Sequence, residues 1–158
     1  MTLLQVGVNA PNFKLLNQRN ETISLSDFFG KKNVVLYFYP KAMTPGCTVQ
    51  ACGIRDSFTE FKQLDTVVIG ISPDNTSRLA RFEEKQELNF DLLSDEGKAA
   101  IELYGCWGLK KFMGKEYNGV LRTTFIIDKK GFIAHVIDKV NTKKHDQEVL
   151  LWIKNNLS

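Results

Sequence analysis

Cys47 and Cys52 stand five residues apart, and a third thiol, Cys106, lies far downstream. Thiols do chemistry as thiolates, by nucleophilic attack, disulfide exchange or metal ligation. Cys47 follows the apolar run Val34-Val35-Leu36-Tyr37-Phe38-Tyr39 and a loop punctuated by Pro40, Pro45 and Gly46. Behind it Ala51, Ile54, Phe58 and Phe61 recur in steps of 3, 4 and 3, the stripe of an amphipathic helix over roughly 47–64. Cys47 therefore falls in the first turn of a helix, where free N–H groups and the positive end of the helix dipole favour thiolate over thiol. A buried, inert thiol is the commoner fate of an arbitrary cysteine. The carboxyl end of a strand feeding a helix, however, is where α/β proteins place their chemistry. The expectation is a reactive sulfur, open to solvent, at a helix start.

The spacing constrains Cys52. Five positions along a helix give a rise of ~7.5 Å and leave the two Cα atoms roughly 8–9 Å apart, whereas disulfides need less than about 7 Å. If the two sulfurs are partners, the first turn or two of the helix must melt when they join. Gly53 admits two readings. It weakens the helix by on the order of 1 kcal/mol relative to Ala, or it lets another part of the chain approach.

The elements that must position these residues read as α/β. A buried strand over 34–39 and a second over 66–72 flank the cysteine helix. Pro73-Asp74-Asn75-Thr76 starts a helix running to about Glu87, and 98–104 forms a short one. Strands 122–128 and 132–140 join through the hairpin turn Asp128-Lys129-Lys130-Gly131, and Val149, Leu150, Ile153 and Leu157 mark a closing helix. Residues 1–33 form an N-terminal extension with a strand at 22–25 and a helical turn at 26–30. The order implies one central mixed sheet flanked by helices, with a parallel and an antiparallel pair. No linker or repeat divides the chain, so residues 1–158 read as one domain.

Composition excludes other classes. With 158 residues, 43% apolar and 25% charged, the chain can build a core without staples. A net charge of +3 is too small to argue for nucleic acid or an anionic membrane. Met1–Pro11 has no basic residue and no sustained apolar stretch, and no run is long enough to span a membrane. The expected location is the cytoplasm, where permanent disulfides are rare and thiols are reactive, ligating or buried.

Pro40-Lys41-Ala42-Met43-Thr44-Pro45-Gly46-Cys47 reads P-x-x-x-T-x-x-C and continues to Cys52. This resembles the active-site signature of the peroxiredoxins. The run from Tyr37, with Ala51-Cys52, Arg55-Asp56, Gly70-Ile71-Ser72, Leu92-Leu93-Ser94-Asp95, Phe112-Met113-Gly114-Lys115 and Phe125-Ile126-Ile127-Asp128, is similar to the bacterioferritin comigratory protein (peroxiredoxin Q) subfamily. The resemblance implies a thioredoxin-like fold. It makes Cys47 the peroxidatic nucleophile, which becomes a sulfenic acid on attacking a hydroperoxide. Cys52 becomes the resolving thiol of an intramolecular disulfide, which thioredoxin, or a glutaredoxin, reopens. Thr44 supplies a hydroxyl beside the sulfur, Pro40 shields it, and the backbone N–H groups of Gly46 and Cys47 complete an anion pocket. The family's arginine maps onto Arg122, directly before an apolar run. A monomer without cofactor or metal is implied. Ala42, Met43, Val49 and Gln50 depart from the Asp, Asn, Thr and Glu that many members carry, and this sets them on the loop rim and the helix face, outside the Pro, Thr, Cys and Arg set.

Other features are set aside. Cys106 reads as a passive thiol. His135 and His145 have no zinc-type spacing to the cysteines. Lys110-Lys111, Lys129-Lys130 and Lys143-Lys144 read as solvated charges. A dithiol oxidoreductase acting on protein disulfides is the second reading, disfavoured by the five-residue spacing. A redox-inert binding module is the third.

Overall fold

The computed structural model describes residues 3–157, so the start of the Met1–Pro11 stretch and the last residue lie outside the described residues. The apolar run becomes β3 of the order β1 (Lys14–Asn17), β2 (Thr22–Ser24), β3 (Asn33–Phe38), α1 (Pro45–Asp56), α2 (Phe58–Gln63), β4 (Thr66–Ser72), α3 (Thr76–Gln86), β5 (Asp91–Ser94), α4 (Ala99–Leu103), β6 (Trp107–Phe112), β7 (Lys115–Val120), β8 (Thr123–Ile127), β9 (Ile133–Ile137) and α5 (His145–Asn156). A seven-stranded mixed sheet forms in the order β2-β1-β5-β4-β3-β8-β9, and β6 and β7 make a separate arm. β3 pairs parallel to β4 and antiparallel to β8, which places the end of β3 in the interior of the sheet.

β3 is buried along its whole length because it faces two cores. Val35 and Tyr37, with Tyr39 just beyond the strand, pack with α1, α2, α3 and α5 through Ala51, Ile54, Phe61, Leu79, Phe82, Val149 and Ile153. Val34, Leu36 and Phe38 pack on the opposite side with Phe13, Ile101, Tyr104 and Phe125. Alternation with period two thus splits one strand between two layers of cover.

Three expectations are corrected. The helix predicted over 47–64 breaks at Ser57, whose φ of −97° and ψ of 10° end α1 and begin α2. Ser57 is buried and its hydroxyl donates to Asp146 Oδ2 at 2.7 Å, so a polar tether fixes the break. Phe58, part of the predicted apolar stripe, is consequently 43% exposed. The N-terminal extension contains β1, which pairs with both β2 and β5. The stretch from 107 to 120, to which the sequence reading assigns no element, is the β6–β7 hairpin, turning at Met113 (φ 52°) and Gly114 (φ 80°).

Gly70 on β4 faces Tyr37 across the parallel register, and a Cβ there would lie 2.9 Å from the Tyr37 ring. The ring, buried at the base of the cysteine helix, cannot retreat. Gly70→Ala is expected to cost about 1–3 kcal/mol by overpacking. Urea denaturation measures it, and an unchanged midpoint would show that the ring moves freely.

Candidate active site

Cys47 sits at the third position of α1. Thr44 is the N-cap and Pro45 opens the helix, where a missing N–H costs nothing. The first-turn N–H groups, Gly46 and Cys47 among them, have no intrahelical partner by construction. Arg122, between β7 and β8, reaches in: its Nη2 lies 3.3 Å from Cys47 Sγ, and its Nη1 donates to Gln50 Oε1 at 2.7 Å. Gly46 lies beneath the same guanidinium, for a Cβ there would be 3.6 Å from Nη2. A positive planar group and a helix N-terminus therefore converge on one sulfur.

The sulfur is not open as expected. Cys47 is 1% exposed and packs in the core with Tyr37, Tyr39, Ala42 and Ala51. The cover has a physical reason, since a guanidinium acts on a charge more strongly when water is excluded. Beside it runs a groove lined by Pro40, Lys41, Thr44, Pro45, Pro73, Trp107, Lys110, Phe112, Tyr117, Gly119 and Val120. A more enclosed cavity of about 480 Å³ lies at the far end of the sheet, among Phe58, Phe61, Thr66 and Phe90, and contains none of these residues.

Thr44 and Pro40 both border the groove. The Thr44 hydroxyl donates to Lys41 O at 2.8 Å, so its proton is engaged and its oxygen offers lone pairs. Lys110 is not a freely solvated charge. It is half-buried, and its Nζ donates to Val120 O at 2.9 Å. Burial, with Arg122 nearby, holds its pKa below the usual lysine value, while the Cys47 sulfur acts the other way.

The loop carrying this chemistry is clamped on both sides of one peptide. Ala42 N–H donates to Asp74 Oδ2 at 2.7 Å, and Arg78 Nη2 donates to Ala42 O at 2.8 Å. Asp74 also accepts from Ser72 Oγ at 2.7 Å and pairs with Arg78 Nε at 3.1 Å. The next residue, Met43, has φ of 67°, a left-handed conformation that a non-glycine residue keeps only when its surroundings impose it.

Cys52 is half-buried on the same unbroken helix, and Cys47, Cys52 and Cys106 are all free thiols. Cys52 Sγ donates to Gln86 Oε1 at 3.4 Å, and Arg55 Nη1 donates to Gln86 O at 2.6 Å, tying the rear of α1 to the end of α3. At Gly53 a Cβ would stand 3.1 Å from Asp146 Oδ1, so this glycine admits the approach of α5. Cys106 is fully buried, and burial pushes its thiol up to about 12, the inert state expected.

Sequence reasoning missed Gln50, Asp74 and His145. Gln50 was grouped with the helix face outside the site. Instead it is 1% exposed and bonded to Arg122. Its position three residues after Cys47, on the same helical face, was the available signal. Asp74 was read only as part of a helix start, and nothing local marks its reach to Ala42. His145 Nδ1 lies 3.3 Å from Gln50 Nε2 and its Nε2 lies 2.7 Å from Thr124 Oγ1.

A strand–loop–helix unit presenting a guanidinium-paired cysteine on a mixed sheet defines the class as a thioredoxin-fold thiol peroxidase, and the comparisons narrow it. Residues 6–136 match the AhpC/TSA family. Peroxiredoxin Bcp of Escherichia coli is 51% identical over 156 residues, covering 99% of each chain. The solved peroxidoxin BcpB of Mycobacterium tuberculosis superposes with a TM-score of 0.87 at 33% identity, covering 98% of this chain and 99% of that one. The bacterioferritin comigratory protein of Xanthomonas campestris, whose structures concern alkyl peroxide reduction, gives a TM-score of 0.90 at 26% identity over 98% and 100%. The chain belongs to the AhpC/TSA family and, within it, to the Bcp (peroxiredoxin Q) peroxiredoxins. It is a thiol peroxidase that takes a peroxide and a thiol reductant. Among the described residues no helix is long and apolar enough to cross a membrane.

Two outcomes follow from these contacts. Asp74→Ala leaves the Ala42 N–H, the Ser72 hydroxyl and Arg78 without their acceptor, and should cost about 2–4 kcal/mol in urea denaturation. A loss within error would show that the loop holds itself. Burial lowers the His145 pKa from 6.5 to about 4. Between those values the unfolded chain takes up a proton that the folded one refuses, so this contribution is full above about pH 6.5 and is lost as the pH falls toward 4. It amounts to about 2 kcal/mol by pH 5. Unfolding curves at pH 7 and pH 5 should therefore separate more for the wild type than for His145→Asn, and equal separations would contradict the assignment.

Proposed function

We propose that Cys47 is the peroxidatic nucleophile and Cys52 the resolving thiol of a thioredoxin-recycled reduction of hydrogen peroxide and organic hydroperoxides. The single observation carrying this reading is the Arg122 guanidinium on Cys47 Sγ at the N-terminus of α1. The Cys47 thiolate attacks the terminal peroxide oxygen. The S–O bond forms as the O–O bond breaks, sulfur gives up two electrons, and the leaving oxygen takes a proton and departs as water or alcohol. Arg122 and the first-turn N–H groups of Gly46 and Cys47 stabilise the negative charge spread over the two oxygens. Thr44, its own proton engaged by Lys41, accepts the hydrogen of the peroxide, and Pro40 limits water at the rim. The apolar groove beside the site suits an organic hydroperoxide, in keeping with the alkyl peroxide activity of the Xanthomonas relative.

In the second step Cys52 attacks the sulfenic sulfur, an S–S bond forms, and the hydroxyl leaves with a proton as water. Two cysteines five apart on an intact helix cannot meet, so α1 unwinds and gives up the Cys52–Gln86 and Arg55–Gln86 contacts. A thioredoxin dithiol then returns two electrons to the disulfide. The chain works as one domain, as a monomer, in the cytoplasm. The continuous sheet supports the first of these.

Three variants test the scheme. Cys47→Ser should lower the second-order rate with hydrogen peroxide on the order of 10³-fold or more. Cys52→Ser should oxidise once at the wild-type rate, stop at a sulfenic acid that dimedone traps, and fail to turn over with thioredoxin and its reductase. Arg122→Leu should lose about 10²–10³-fold in the first step. Retained peroxidase activity in Cys47→Ser would reject the scheme, and multiple turnovers in Cys52→Ser would reject the resolving role.

A further inference from the structure

We propose that His145 is a positioning residue for the peroxidatic centre: its Nδ1 lone pair orients the Gln50 carboxamide, and Gln50 in turn holds Arg122 over Cys47. The inference rests on the reading of Arg122 and Cys47 as the reacting pair, and it concerns a residue that touches neither peroxide nor sulfur.

The argument is one of hydrogen-bond direction. A guanidinium has donors only, so the Gln50 atom 2.7 Å from Arg122 Nη1 is the carbonyl oxygen Oε1. The planar amide then turns its NH2, which also has donors only, toward His145, 3.3 Å from Nδ1. Nδ1 must accept. The ring proton therefore sits on Nε2, which donates to Thr124 Oγ1 at 2.7 Å. From the arginine outward, each group donates to the next.

Reversing any one link sets donor against donor. If His145 carried its proton on Nδ1, the Gln50 NH2 would lose its acceptor, and a flipped Gln50 would turn that NH2 on Arg122. Water offers no relief, because His145 and Gln50 are each 1% exposed and Thr124 is 0% exposed. A buried donor left without an acceptor is costly, so the neutral imidazole of one tautomer selects one orientation of Gln50. The ring is held from several sides. Tyr37 of β3 lies with ring centroids 5.6 Å away, Asp146 follows on α5, and Arg122 stands beyond Gln50. A shift of about 1 Å in a stabilising group can cost about 10²-fold in rate, so orientation of the guanidinium is worth fixing.

His145 also begins α5, so loss of activity alone would not separate positioning from packing. The test is a double-mutant cycle read as the second-order rate of Cys47 oxidation by hydrogen peroxide, in stopped flow. His145→Leu should slow this step about tenfold. His145→Asn, whose carboxamide oxygen can replace the Nδ1 acceptor, should recover most of that loss. In a Gln50→Leu background, His145→Leu should produce no further loss. Thr124→Val, nearly isosteric and outside the start of α5, unties the Nε2 proton and should slow the step about threefold, again only when Gln50 is present. An unchanged rate in His145→Leu would overturn the proposal. So would equal losses for Leu and Asn at 145, or equal fold-losses with and without Gln50. If His145→Leu does not fold, the Thr124→Val cycle decides alone. Failure of the peroxidatic reading is separately visible as oxidation persisting in Cys47→Ser.

Discussion

The contact between the Arg122 guanidinium and the Cys47 sulfur, made in a place with almost no water, is the constraint on which the rest of the structure depends. A charge is expensive to bury alone and becomes tolerable when a partner and oriented dipoles meet it. The molecule supplies both from distant parts of the chain. α1 brings its N-terminus because Thr44 and Pro45 start a helix there, and Arg122 arrives at the head of β8, which pairs beside β3. The central position of β3 makes that meeting possible. Gln50 then takes the second arm of the guanidinium, so that one helix provides the sulfur, the dipole and the arginine's brace.

The same helix is under opposing demands. Its first turn must be intact for the sulfur to feel the dipole, yet the proposed second sulfur is reachable only when the turns between them open. The structure resolves this by holding α1 through polar ties of modest strength at its rear. These are the Cys52 and Arg55 bonds to Gln86, the Asp146 carboxylate against Gly53, and Ser57 on that same carboxylate. Hydrogen bonds of this kind contribute about 1 kcal/mol each net, less than a packed leucine. The loop ahead of the sulfur is held more firmly, by a buried carboxylate and a guanidinium on the Ala42 peptide. Stiffness sits ahead of the Cys47 sulfur, and give behind it.

Much of this was legible in the sequence wherever the physics was local. The buried strand, the loop with its prolines, the helix start at the cysteine and the hairpin at Gly131 each carry their own periodicity or turn chemistry. What stayed hidden depends on partners far along the chain. β1 and β5 are four residues each and pair with one another across more than seventy positions. β6 and β7 form an exposed arm, so no face is selected for burial and no alternation appears. The break at Ser57 is invisible because it is imposed by Asp146 on another helix. In the site, Thr44, Pro40 and Arg122 could be placed by resemblance, whereas Asp74, Gln50 and His145 acquire roles only once four elements are folded together. The covered state of Cys47 was misjudged for the same reason, since Tyr37 and Tyr39 of the core and Arg122 from the head of β8 close on it together with Ala42 of the loop.

The tie between the end of α1 and Gln86 has one more effect. In the proposed cycle, opening the helix would release the Cys52 and Arg55 ties and uncover the last turn of α3 at Gln86. On that scheme the spent enzyme would wear a different face from the ready one. An electron donor that docks on the uncovered patch would find it only on molecules that have already consumed a peroxide, and selectivity for spent over fresh copies would arise from shape rather than from any signal.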